Sequence, residues 1–138
     1  MIKGGCLCGK IQFAVDGPIL GMVNCHCSDC RKAYGSAFGT EALCEKEDFR
    51  YVKGEALISS YKQSERITRE FCGVCGSPLP LRQDWYPQIG IPGGLLDDDP
   101  QVIPSQHIFV GDKAPWWEIT DDKPQHQAYP PGVDPTII

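Results

Sequence analysis

The chain has 138 residues, and its 13 Lys and Arg against 18 Asp and Glu give a net charge of −5. This length predicts a single domain over residues 1–138, and the acidic balance argues against nucleic-acid binding, which usually needs a basic face. No stretch approaches the about 18 consecutive apolar residues that cross a bilayer, and the N-terminal residues lack the apolar core of a secretory signal. We therefore expect a cytoplasmic protein without a membrane partner.

Glycine and proline, with 15 and 12 residues, argue against long helices and favour a loop-rich β domain. Apolar and β-branched segments separated by turn residues predict strands, in chain order, at 11–15, 20–25, 37–44, 49–53, 57–61, 66–71, 88–91 and 106–110. Their spacing of about 8 to 12 residues suits a meandering antiparallel sheet. The acidic run 97–99 is expected to be a solvated loop. A tail from Pro124, with further prolines at 130, 131 and 135, is expected to lie extended over the domain.

Two cysteine pairs, each embedded in glycine, predict a closed metal site: Cys6-x-Cys8 and Cys72-x-x-Cys75. Glycine permits the tight turns that point two thiolates at one ion, and four thiolates complete a tetrahedral structural zinc site. A reducing cytosol also makes metal ligation a better explanation of the eight cysteines than disulfides. We expect this metal to join the first strand to the middle of the chain; ordinary buried cysteines are the alternative.

A second cysteine group, Cys25-x-Cys27-x-x-Cys30, supplies three ligands. Three is one short of a closed tetrahedron, which is typical of a catalytic zinc with an exchangeable position. His26 should project away from the ion, and we favour a supporting or surface role over ligation. Cys44 stands alone in an apolar strand pattern, which favours a small core residue over a fourth ligand.

The charge of this second group predicts its chemistry. Three thiolates on Zn²⁺ give a first shell of net charge −1, a weaker Lewis acid than zinc on three neutral imidazoles. A thiol is then a better fourth ligand than an activated water. Zinc holds a bound thiol as the thiolate at neutral pH, the form that attacks carbonyl carbon.

These motifs resemble those of the glutathione-dependent formaldehyde-activating enzyme family, which includes the centromere protein V type. The resemblance rests on GCLCG at 5–9, CHCSDCRK at 25–32, GSAF at 35–38 and FCGVCG at 71–76, with HI at 107–108 and KAPW at 113–116. It implies a mainly β, Mss4-like zinc fold with long loops and little helix. It also implies two zinc ions, a structural one on the Cys6, Cys8, Cys72 and Cys75 set and a catalytic one on Cys25, Cys27 and Cys30. The implied activity joins glutathione and formaldehyde reversibly to S-(hydroxymethyl)glutathione, as a carbon–sulfur lyase in reverse.

Other residues are candidates for contacts at the second site. Arg31 and Lys32 directly follow the last cysteine and could pair with the carboxylates of a glutathione-like thiol, or be solvated charges. His107 could give a proton to a developing alkoxide, but a hydrogen-bonded structural histidine is favoured. Trp116 and Trp117 could cover the pocket, although core packing by at least one of them is favoured.

A zinc-stabilised interaction module without catalysis is the competing interpretation. A second site closed by Cys44, or one zinc per chain, would favour the module. The sequence leaves the oligomeric state open.

Overall fold

The computed structural model describes residues 1–133, none of whose helices is long and apolar enough to span a membrane. The described chain is mainly β with one α-helix, which confirms the predicted fold class. The strands are β1 (Ile2–Gly5), β2 (Gln12–Val15), β3 (Gly21–Cys25), β4 (Gly39–Glu45), β5 (Phe49–Lys53), β6 (Ile58–Lys62), β7 (Thr68–Cys72), β8 (Gln88–Pro92) and β9 (Pro104–Ile108). The helix α1 (Ser28–Tyr34) lies between β3 and β4.

All eight predicted strands are present, with ends that differ from the prediction by at most two residues. The last of them stops at Ile108 because Phe109 has φ 55°, in the left-handed region that a strand cannot use. β1 was not predicted, since two of its four residues are glycine. Gly4 is needed there: a Cβ at this position would lie 2.4 Å from the Phe13 ring.

The strands form three sheets, of order β1-β2-β5, β8-β4-β3-β9 and β6-β7. The prediction of one antiparallel meander is wrong in its topology. The strands divide among three sheets, β5 pairs with β2 and β8 with β4, and β9 pairs with β3 in parallel. Parallel neighbours need a long crossover, and here it runs through most of the chain.

The main core lies between the first sheet and one face of the four-stranded sheet. Phe13 and Val15 of β2 pack there against Ala42 and Cys44 of β4 and Ile91 of β8, all at most 1% exposed. Cys44 is therefore a small core residue, as the sequence favoured. Burial raises the pKa of its thiol to about 11, so this side chain is neutral.

The opposite face of the four-stranded sheet carries Cys25. Side chains alternate along a strand, and antiparallel partners share a face. Cys25 pairs with Gly39, and Val23 pairs with Glu41, so Cys25, Val23 and Glu41 point away from the side on which Cys44 is buried.

Residues 124–128 run beside β9, as expected for the proline-rich tail, whereas residues 130–133 form a turn in which the Val133 N–H donates to the Pro130 carbonyl. The His107 N–H donates to the Pro124 carbonyl, the His126 N–H to the His107 carbonyl, and the Phe109 N–H to the Ala128 carbonyl. Pro135 lies outside the described residues. The acidic run 97–99 is exposed, as predicted, and Asp98 accepts a hydrogen bond from the Lys3 N–H.

We predict that Cys44→Ser lowers the free energy of unfolding by about 1 to 3 kcal/mol, because a hydroxyl would be buried among apolar groups. Cys44→Ala should cost less, since it buries no polar group. Denaturant unfolding measures both losses. Metal content should be unchanged in both variants, and a lost metal equivalent in either would make Cys44 a ligand.

Candidate metal centres and adjoining cavity

The first cysteine cluster brings together the connection after β1 and the end of β7. The Sγ atoms of Cys6, Cys8, Cys72 and Cys75 all lie within 4.8 Å of one another. Cys6 Sγ is 3.5 Å from Cys8 Sγ, which is 3.9 Å from Cys72 Sγ. Tetrahedral zinc with Zn–S bonds of about 2.3 Å separates its sulfurs by about 3.8 Å. The four sulfurs therefore fit one tetrahedral zinc ion.

Tight turns create this arrangement. Gly9 and Gly76 have φ values of 70° and 78°, which favour glycine. The Ile11 N–H donates to Cys6 Sγ at 3.3 Å. Hydrogen bonds from the Ser77 side chain and backbone lower the pKa of Cys75 to about 5, so the loop stabilises the thiolate that a metal requires.

The second cluster lies where β3 ends and α1 begins. The Sγ atoms of Cys25, Cys27 and Cys30 lie within 4.8 Å of one another. Cys27 is the N-cap of the helix, and its sulfur accepts the Cys30 N–H at 3.2 Å. Sequence analysis predicted little helix but did not place this one, which ends at Tyr34 and is capped by Gly35 with φ 59°.

The electrostatics of the second cluster suit a cation. Hydrogen bonds from Cys25 and then Cys30 lower the pKa of Cys27 to about 2, whereas the Cys27 sulfur raises the pKa of Cys25 to about 12. Three sulfurs this close therefore hold one negative charge readily and resist three. A bound dication would supply the positive charge that lets all three ionise.

Within residues 1–133, no fourth cysteine, histidine or carboxylate joins the second cluster. Cys44 is buried on the other face of the sheet. His26 lies between two of the cysteines but is fully buried, so the surface role considered for it is wrong. Burial, followed by the charges of His107 and Lys113, lowers the pKa of His26 to about 4, and its ring is therefore neutral at pH 7.

A hydrogen-bond chain of two buried histidines and the exposed Asp121 anchors this cysteine loop to the C-terminal part of the fold. His26 Nε2 lies 2.8 Å from His107 Nδ1, and His107 Nε2 lies 2.9 Å from Asp121 Oδ2. Because the Asp121 carboxylate only accepts, His107 Nε2 carries the proton, and His26 Nε2–H donates to His107 Nδ1. His107 is thus the hydrogen-bonded structural histidine that was favoured, with both ring nitrogens occupied.

A cavity of about 470 Å³ lies on the Cys25 face of the four-stranded sheet. Its lining includes Val23 and Glu41 from the sheet, Arg69 from β7, and Tyr129 from the tail. Burial, followed by the charges of the three clustered cysteines, raises the pKa of Tyr129. The cavity adjoins the strand that carries the second cluster, because its lining residue Ile108 is the β9 partner of Cys25.

Sequence reasoning missed the polar residues of this cavity. The Tyr34 hydroxyl donates to Glu41 Oε1, and the Arg69 Nε–H donates to the Gln63 side chain. Burial raises the pKa of Glu41. Glu41, between Thr40 and Ala42, could have been found from the sequence, because a carboxylate within a predicted apolar strand is unusual and suggests a functional group. Arg69 has no such signal, since its place depends on how β7 packs.

The predicted contact residues lie elsewhere. Arg31 and Lys32 are in the last turn of α1 and are not among the residues lining the cavity. Lys32 is exposed, whereas the Arg31 Nε is buried without a hydrogen-bond partner among the described residues.

The prediction that Trp116 or Trp117 packs in the core is wrong, because their side chains are 69% and 41% exposed. Ala114 takes the buried position in this segment, at 0% exposed. The Trp117 and Phe38 rings pack in a T-shaped arrangement, with centroids 5.7 Å apart. Neither tryptophan is among the residues that line the cavity.

The family model for the glutathione-dependent formaldehyde-activating enzyme matches residues 1–112. The chain belongs to this family. A crystal structure of a Rhodobacter sphaeroides protein is similar in fold, with a TM-score of 0.59 at 25% sequence identity. That similarity covers 70% of this chain and 89% of the other. The family model ends before Asp121, so the acid of the histidine chain lies outside the matched range.

We predict that Asp121→Asn destabilises the protein most above about pH 4. The hydrogen bond from His107 holds the Asp121 pKa below its usual value, so the carboxylate stabilises the fold above the unfolded pKa of about 3.9 and loses that effect as the pH falls. The Asn variant should therefore have a lower thermal midpoint at pH 7, and its difference from wild type should shrink towards pH 3.

Asp122→Asn, at the exposed neighbouring position, is the matched control. Acid also protonates the cysteines, but that effect is common to all three proteins and cancels in the difference. A difference between Asp121→Asn and wild type that is equal at pH 7 and pH 3 would contradict the charged hydrogen bond.

Proposed function

We propose that this chain is a zinc enzyme that forms and breaks the carbon–sulfur bond of an adduct between a thiol and an aldehyde. The second cluster carries the proposal: three sulfurs converge without a fourth protein ligand in the described chain, next to a cavity. The family match supports glutathione and formaldehyde as the reactants, with S-(hydroxymethyl)glutathione as product, or a related reaction of another thiol. The reaction is that of a carbon–sulfur lyase run in reverse.

We assign the two clusters different roles. Cys6, Cys8, Cys72 and Cys75 would hold a structural zinc, and Cys25, Cys27 and Cys30 an exchangeable one. When bound, the second zinc would supply a Lewis acid that favours the thiolate of an incoming thiol. All eight cysteines are free, and both clusters require reduced thiols, which supports a cytoplasmic location.

The chain's own residues would handle the proton of the reaction. In the forward direction the thiol sulfur bonds to the aldehyde carbon, the C=O π pair moves to oxygen, and the thiol proton ends on that oxygen. Glu41 lines the cavity and is held by the Tyr34 hydroxyl. Burial raises its pKa, which makes the protonated carboxyl easier to form and suits a group that accepts and returns a proton. His107 is unsuited, because both its ring nitrogens are engaged.

The arrangement of the second site favours catalysis over a structural module. A module needs a closed site, and Cys44, its candidate fourth ligand, lies on the opposite face of β4. Arg31 and Lys32 remain proposed contacts for a thiol that carries carboxylates, from the end of α1.

We predict that the two clusters respond differently to loss of one sulfur. Cys72→Ser should lose one zinc equivalent and lower the thermal midpoint by at least about 10 °C, because binding energy at a structural site, about 10 kcal/mol, is folding energy. Cys27→Ser should also lose one zinc equivalent, but lower the midpoint by less than about 5 °C. Serine at Cys27 can still accept the Cys30 N–H and so keep the helix cap.

Metal analysis and thermal unfolding of both variants measure these outcomes. If Cys72→Ser retains full zinc and an unchanged midpoint, the first assignment is wrong. If Cys27→Ser unfolds as readily as Cys72→Ser, both sites are structural.

We predict that a thiol binds at the second cluster of Co²⁺-substituted protein. Added glutathione should increase the thiolate charge-transfer absorption beyond that of the protein sulfurs, and the response should weaken as the pH falls because the bound thiol must lose its proton. Cys27→Ser should abolish the added absorption. Arg31→Ala, compared with Lys32→Ala, tests which charge attracts glutathione. No thiol response in protein that retains cobalt at the second cluster would contradict thiol activation.

A further inference from the structure

The side chains that line the cavity do not match the charged groups of glutathione. The walls of the cavity are formed mostly by apolar side chains, among them Val23, Leu43, Ile67, Leu81 and Ile108. The charged residues among the described lining are Glu41 and Arg69, which have opposite signs. A small-molecule pocket of this size and composition binds apolar groups and uses a few polar atoms for orientation.

On the basis of the proposed function, we propose that the thiol used by this chain carries an uncharged aromatic or branched aliphatic group, which binds in this cavity. The geometry gives the direction of the ligand. Cys25 and Val23 lie on one face of β3, about 6.6 Å apart along the strand. A thiol whose sulfur reaches the second cluster therefore extends its body over Val23 and between the apolar walls.

Charge supports the same conclusion. Glutathione carries two carboxylates and an ammonium group, and each would need a partner when taken out of water. Among the described lining residues, the two carboxylates would share one cation, Arg69, and the ammonium would have one acid, Glu41, which already accepts from Tyr34. An uncharged group needs no such partner and gains from apolar burial.

Gly21 provides a variant that fills the cavity without touching either cluster. It lines the cavity, and a Cβ built on it meets no heavy atom within 4 Å. Leucine at this position should occupy ligand space without displacing backbone. Gly94 is the matched control, because a Cβ there also has open space, but it does not line the cavity.

The experiment compares ligands by calorimetry on zinc-loaded protein. We expect 2-phenylethanethiol to bind at least about tenfold more tightly than 2-mercaptoethanol and glutathione, a difference of about 1.4 kcal/mol. Gly21→Leu should weaken 2-phenylethanethiol at least about tenfold, and Gly94→Leu should leave it unchanged. If Gly21→Leu fails to fold by circular dichroism, Gly21→Ala takes its place, with a smaller but measurable loss expected.

Tighter binding of glutathione than of 2-phenylethanethiol, or equal binding of 2-phenylethanethiol by folded Gly21→Leu and wild type, would overturn the proposal.

The alcohol 2-phenylethanol separates this proposal from the proposed function. If the alcohol binds in a Gly21-dependent way but no thiol changes the cobalt spectrum, the cavity is supported and thiol activation fails. If thiols change the cobalt spectrum but the alcohol does not bind, thiol activation is supported and the apolar specificity fails.

Discussion

The alternation of side chains along β4 places the main core on one face of the four-stranded sheet and the cavity on the other. Ala42 and Cys44 point into the apolar core, and Glu41 and Leu43 point the other way, into the cavity. Core residues and cavity residues thus alternate on the same strand. A shift of register by one residue would exchange the two faces. A carboxylate would then enter the core, and a buried thiol would enter the site. Core packing is therefore also what keeps Glu41 in the cavity.

The two cysteine clusters show two ways of bringing sulfurs together. In the first, glycine turns at Gly9 and Gly76 curl two separate loops towards each other, and the small core around Ile11 and Leu79 packs against Cys6 and Cys72. In the second, the sulfurs are local in sequence, and the change from strand to helix aligns them. A cluster closed by distant loops constrains the unfolded chain strongly, whereas a local one constrains it little. This difference agrees with a structural role for the first cluster and an exchangeable one for the second.

The patterns visible in the sequence are those that depend on near neighbours. Strand alternation and cysteine spacing are local patterns, so all strands except β1, and both cysteine clusters, could be predicted. The position of helix α1 was not predicted. Its N-cap is Cys27, and the sequence pattern around this residue indicates a metal ligand and not the start of a helix. The parallel β3·β9 pair and the His26–His107–Asp121 chain depend on contacts across about 80 residues. Core packing by at least one of Trp116 and Trp117 was favoured, but both are exposed and the neighbouring Ala114 occupies the buried position.

The parallel pairing of β9 with β3 bears on the order in which the molecule assembles. Both cysteine clusters are complete once residue 75 has been synthesised. The cavity still lacks β9 and the tail at that point, and it lacks the His107 partner of the cysteine loop. Contacts of such large sequence separation form late, because a long loop must close first. We therefore expect that the sulfurs of the nascent chain are already grouped on the ribosome while the cavity side of the second cluster is still exposed to solvent. Metal can then bind before β9 and the tail complete the pocket.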